Sequence, residues 1–65
     1  MNTTVKPSEL IMSLARMGYG LELSAPIIAN TYLEFKATGK PLPRVWEKST
    51  IKDVETCYNK LMRGE

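Results

Sequence analysis

The chain has 65 residues, 43% of them apolar, which fits one small domain and excludes a disordered polar segment. Its single cysteine, Cys57, and its lack of histidine exclude an internal disulfide and a tetrahedral Cys/His zinc site. Nine Lys and Arg stand against seven Asp and Glu, a net +2 that permits contact with phosphates without arguing for it.

A chain of this size buries only about 60% of its unfolded surface, so its core is marginal. Without a disulfide or zinc, efficient helix packing or association with a partner must supply the stability. A lone cysteine fits a reducing compartment, and cytoplasm is the expected location. No stretch approaches the roughly 20 apolar residues that span a bilayer, so no membrane role is expected. Met1–Lys6 carries no basic region followed by an apolar run, so a signal peptide is not expected. Residues 1–6 read as a flexible N-terminal arm and 7–65 as a single helical domain.

The first helix is predicted from Pro7 to Met17. Proline suits the first helical position, Glu9 suits the positive end of the dipole, and Leu10, Leu14 and Met17 repeat at helical spacing, flanked by Ile11. Gly18 can take the positive φ that closes a helix. The second helix is predicted to start with Ser24 as N-cap and Pro26 in its first turn, with Leu23 and Ile28 in hydrophobic-staple positions. Ala25, Ile28, Ala29, Tyr32 and Phe35 form its stripe, Leu33 lies at the edge, and Gly39 with Pro41 ends it.

Between Gly39 and Ser49, Pro41 and Pro43 impose an extended chain, because the residue before proline avoids the helical region. Pro43 could then start one short helical turn through Lys48, with Val45 and Trp46 covering the bottom of the core. The third helix is predicted over 50–63, with Thr50 and Asp53 as an acidic capping box. Ile51, Val54, Tyr58 and Leu61 form its stripe, widened by Cys57 and Met62. Lys52, Asp53, Thr56, Asn59, Lys60 and Arg63 occupy the other side, and Gly64 suits the exit. The expected fold is an all-α bundle of three main helices with room for a short fourth turn. Its buried set is Leu10, Leu14, Ile28, Tyr32, Phe35, Ile51, Val54, Tyr58 and Leu61.

The inventory argues against an enzyme. Histidine, the commonest general acid–base group, is absent, and the carboxylates are scattered. Asp53 and Glu55 are close in sequence, but residues two apart on a helix do not face each other. Cys57 falls within an apolar stripe, where a small buried hydrophobe is expected rather than a nucleophile. Gly18-Tyr19-Gly20 follows no strand and carries no phosphate-loop meaning. Neither a cofactor nor a small-molecule substrate is expected.

Two binding readings remain. In the first, the chain is a small non-enzymatic protein-binding module (an adaptor, inhibitor or regulatory subunit) whose partner is another protein or a second copy. It rests on apolar residues off the core stripes. Ile27 points to the polar side of the second helix, Met12 shares a face with Ser8 and Arg16, Tyr19 and Leu21 lie in a loop, and Trp46 lies between prolines and the third helix. For Trp46 the core is a competing destination, being the largest apolar group of a chain short of burial. In the second, the chain is a helix-turn-helix-like DNA-binding regulator. Lys52, Thr56, Asn59 and Arg63 share a face of the third helix, Ser49–Thr50 would form the turn, and Lys36, Lys40, Arg44 and Lys48 could reach phosphates. Asp53 and Glu55 near the start of that helix, and the long first loop, count against it.

Overall fold

A computed structural model describes residues 5–64, and among them the chain is all α, in three helices. These are α1 (Pro7–Arg16), α2 (Ser24–Thr38) and α3 (Lys48–Met62). Residues 1–4 of the expected arm, and residue 65, lie outside the described residues. Val5, also assigned to that arm, is buried in the core.

α1 keeps its predicted start at Pro7 and ends one residue earlier than expected, with Met17 as cap. Gly18 N–H bonds the Ala15 carbonyl (3.0 Å) and Tyr19 N–H the Leu14 carbonyl (3.2 Å), the paired bonds of a Schellman motif. Gly18 supplies the positive φ of 109° that this ending needs. The motif has a tertiary consequence, because it turns Tyr19 back over the bundle.

The start of α2 differs from the expectation. Ser24 is the first helical residue rather than the cap; Leu23 is the cap, with no side-chain bond. The backbone makes the side-chain cap unnecessary: Ala25 N–H bonds the Gly20 carbonyl (2.7 Å) and Ile27 N–H the Leu23 carbonyl (3.4 Å). The staple does not form either, because Leu23 is 73% exposed while Ile28 is buried. α2 ends as predicted at Gly39, whose N–H bonds the Phe35 carbonyl (2.8 Å) at a φ of 79°.

In place of the expected short helical turn from Pro43 to Lys48 there is a non-helical turn at Arg44–Val45, in which Trp46 N–H bonds the Pro43 carbonyl (3.2 Å). The extended chain passes directly into α3, which starts two residues before Thr50 with Glu47 as cap. Ile51 N–H already bonds the Glu47 carbonyl (3.1 Å), so Ser49 and Thr50 lie inside the helix and the Thr50 capping box does not form.

Neighbouring residues define the topology. Met17 and Tyr19, at the end of α1, touch Cys57 and Asp53, whereas Ser8 and Met12 share a groove with Leu61. α3 therefore runs antiparallel to α1. Pro7 at the start of α1 shares a groove with Ala37 near the end of α2 and Met62 at the end of α3, so α2 is also antiparallel to α1. α2 and α3 are consequently parallel, and the nine residues between Thr38 and Lys48 must travel the length of the bundle. Fully extended, nine residues reach about 30 Å, enough to pass a helix of about 22 Å. Pro41 and Pro43 hold this crossover open, and Leu42 and Trp46 anchor it on the core.

Leu10 and Leu14, both fully buried, place α1 against the other two helices, together with Ala25, Ile28, Ala29, Tyr32, Val54 and Cys57. Of the expected core, Phe35, Ile51, Tyr58 and Leu61 are only half-buried, because three short helices cannot enclose every stripe residue. Phe35 and Tyr58 flank Tyr32 instead, with ring centroids 5.8 and 5.4 Å away. Val45, expected to cover the core, is 86% exposed on the crossover turn.

Leu14→Ala is expected to cost about 2–5 kcal/mol, since its side chain is enclosed and the helices can only partly collapse on the cavity. Leu23→Ala should stay within about 0.5 kcal/mol. Urea denaturation followed by circular dichroism measures both.

Candidate functional site

The interface residues read from the sequence divide in two. Tyr19 and Trp46 are half-buried and packed against the core, so they are structural before they are anything else. The Schellman turn carries the Tyr19 ring over α3, and its hydroxyl donates to Asp53 Oδ2 at 2.9 Å. Trp46 fastens the crossover. Met12, Leu21 and Ile27 are exposed, as the sequence suggests.

Leu23, a staple candidate in the sequence, is exposed like Leu21 and Ile27. Leu23 and Ile27 are four residues apart across the first turn of α2, so they lie on one helix face. Leu21 is 50% exposed and Ile27 59%, so three large apolar side chains stand in solvent around the start of α2. Beside it is an open groove of about 610 Å³, lined by Ala15, Tyr19, Leu21, Glu22 and Leu23. The signal in the sequence was the apolar density Leu21-Glu22-Leu23, which the staple explanation absorbed. Met12 is separate: it lines a smaller groove, of about 360 Å³, with Ser8, Glu9 and Arg16, opposite Leu61.

The residues of the nucleic-acid reading sit on α3. Lys48, Lys52, Thr56, Asn59 and Arg63 are all exposed and, at about 100° per residue, share one face. The Thr56 hydroxyl donates to the Lys52 carbonyl of its own helix at 2.8 Å. Asp53 is not part of that face, since it turns toward Tyr19. The helix-turn-helix layout is lost, because Ser49 and Thr50 are helical and no short helix precedes them. Two of the supporting cations are engaged elsewhere. Lys36 Nζ lies 5.3 Å from the Tyr58 ring centroid and 5.9 Å from that of Tyr32, and Lys40 pairs with Glu34 at 2.8 Å.

Cys57 is buried, as expected of a small hydrophobe, and its thiol donates to the Met17 thioether at 3.0 Å. Among the described residues no group of His, Cys, Asp or Glu could hold a metal ion, and no helix is long and apolar enough to cross a membrane.

Burial raises the Tyr19 hydroxyl above its ordinary pKa of 10.0, and Asp53 adds to the shift by holding the neutral phenol. Burial likewise raises Tyr32, with the Glu55 charge contributing. A raised native pKa means that the unfolded chain ionises first. The stability these phenols contribute is therefore complete below about pH 10 and is lost as pH rises past it. Alkaline unfolding should steepen above about pH 10, and Tyr19→Phe should flatten part of that fall. Tyrosinate absorbance alongside circular dichroism measures it.

No family model matches the chain, and the searches of curated proteins and of solved structures find no match to it.

Proposed function

We propose that the chain is a small protein-binding module that docks through the apolar surface at the start of α2. One observation carries the reading: Leu21, Leu23 and Ile27 are exposed together while the core is completed without them. An apolar side chain left in water forgoes the roughly 1.5–3 kcal/mol that burial returns, and three neighbours recover it by covering one another's surface with a partner. The partner is a second protein or a second copy of the chain, in the manner of an adaptor, inhibitor or regulatory subunit. Met12 lies in a separate groove with Ser8, Glu9 and Arg16 and is not needed for this surface.

A photo-crosslinking residue placed at Ile27 or Leu23, in the organism's own cells, should give one discrete adduct, and the same residue at Lys52 should not. Twice the chain's mass identifies a second copy; any other mass identifies another protein. Ile27→Asp should abolish the adduct formed from Leu23 and leave the helical signal and melting curve unchanged. Absence of an adduct at both positions, or unfolding of Ile27→Asp, would sink the reading.

A second reading, binding of duplex DNA or another polyanion along α3, has its own support. With Asp53 drawn to Tyr19, the face carries the cations Lys48, Lys52 and Arg63 beside Asn59, with Glu47 and Glu55 as exposed acids near the first turns of α3. Lys52→Ala should then weaken binding of mixed-sequence duplex and lower the salt slope by about one unit. Fluorescence anisotropy at two salt concentrations decides it, and no binding at low salt removes this reading.

A further inference from the structure

The groove between α1 and α3 holds two cations that neither the core nor the apolar surface uses. Arg16 on α1 and Lys60 on α3 line the same concavity of about 380 Å³, together with Ser13, Met17, Thr56 and Cys57. No carboxylate lines it, and among the described residues neither cation has an ion-pair partner. Like charges sharing a groove repel, and an anion between them reverses the sign of that interaction.

The hydroxyls on the two walls behave differently. Thr56 turns its proton back onto the carbonyl four residues earlier, as a hydroxyl inside a helix commonly does, and Thr38 does the same to Glu34 (2.7 Å). Ser13, also inside a helix, makes no hydrogen bond among the described residues, so its proton is available to the groove. Guanidinium and ammonium supply donors only, the Ser13 hydroxyl can add one more, and Met17 adds an apolar wall of which 47% is exposed.

We propose that this groove is a binding site for a small phosphomonoester carrying an apolar group. The Arg16 guanidinium grips two phosphate oxygens in its planar fork, Lys60 neutralises the second charge, and Ser13 donates to a third oxygen. A phosphomonoester carries nearly two charges at neutral pH, which matches the two cations. The groove is larger than a phosphate group requires, and Met17 and Cys57 in its lining offer soft apolar contact to an aromatic or alkyl substituent.

Phenyl phosphate, inorganic phosphate and the monoanion phenyl sulfonate, each titrated into isotope-labelled protein at low salt and followed by NMR, test the site. Phenyl phosphate should shift the Arg16 side-chain Nε, the Lys60 side chain and the Met17 methyl saturably, and should bind more tightly than either comparison anion. Arg16→Gln and Lys60→Gln should each weaken it about tenfold or more. Both side chains are exposed, so both variants should keep the wild-type fold. Lys52→Ala should leave the affinity unchanged, which separates this groove from the outer face of α3. Shifts spread evenly over all the Lys and Arg residues, or wild-type affinity in both Gln variants, would overturn the proposal. Equal affinity for phenyl phosphate and phenyl sulfonate would overturn the assignment of a dianion.

Discussion

The burial of one face of α1 is the constraint on which the structure depends. Leu10 and Leu14 are enclosed, and the helix that carries them is only ten residues long. Isolated helices of that length are marginal in water, so α1 exists because α2 and α3 close over it. The dependence is mutual. α2 and α3 meet each other chiefly through Tyr32 and Tyr58, and only α1 gives both a common apolar wall. Tyr19, fixed by the ending of α1 and bonded to Asp53, ties the far end of the same assembly.

Helical periodicity and glycine chemistry made much of this fold legible from the sequence. Gly18 and Gly39 end their helices at positive φ, and the Leu10–Leu14 and Ile28–Tyr32 stripes are buried. What misled were the polar residues near the start of α2 and α3. Ser24 and Thr50 have the right chemistry for caps, but backbone bonds from Gly20 and Glu47 start the two helices before those side chains are needed. A cap preference is worth about a kilocalorie, and tertiary placement of a whole helix outweighs it. The error at Ser24 carried over to Leu23, since a staple would have hidden the residue that most widens the exposed apolar surface.

Position on a helix wheel was a better guide to the candidate surfaces than residue type. Ile27 and the Lys52–Arg63 face lie outward, as their angles require. Wheel angles alone did not distinguish an outward acid from one engaged by a loop, so Asp53 was misplaced. They also say nothing of grooves between helices, such as the one that Arg16 and Lys60 both line although they are distant in sequence. The two surfaces lie on different parts of the bundle. The apolar one surrounds the start of α2, and the cationic groove runs between α1 and α3. Their linings adjoin at the end of α1, where Ala15 and Tyr19 face one and Arg16 and Met17 the other.

The parallel arrangement of α2 and α3 also shapes how the chain folds. α1 and α2 are joined by the seven residues 17–23 and can form a helical hairpin from local contacts, a fast event. α3 can join only after the crossover has been laid along the hairpin, at the entropic cost of closing that loop. The turn at Arg44–Val45, with Val45 almost wholly in solvent, is the point where a protease would cut an otherwise folded chain. Severed there, α3 would be held on the bundle only by its packing against α1 and α2 and the Tyr19–Asp53 bond, with no chain connection to oppose its loss.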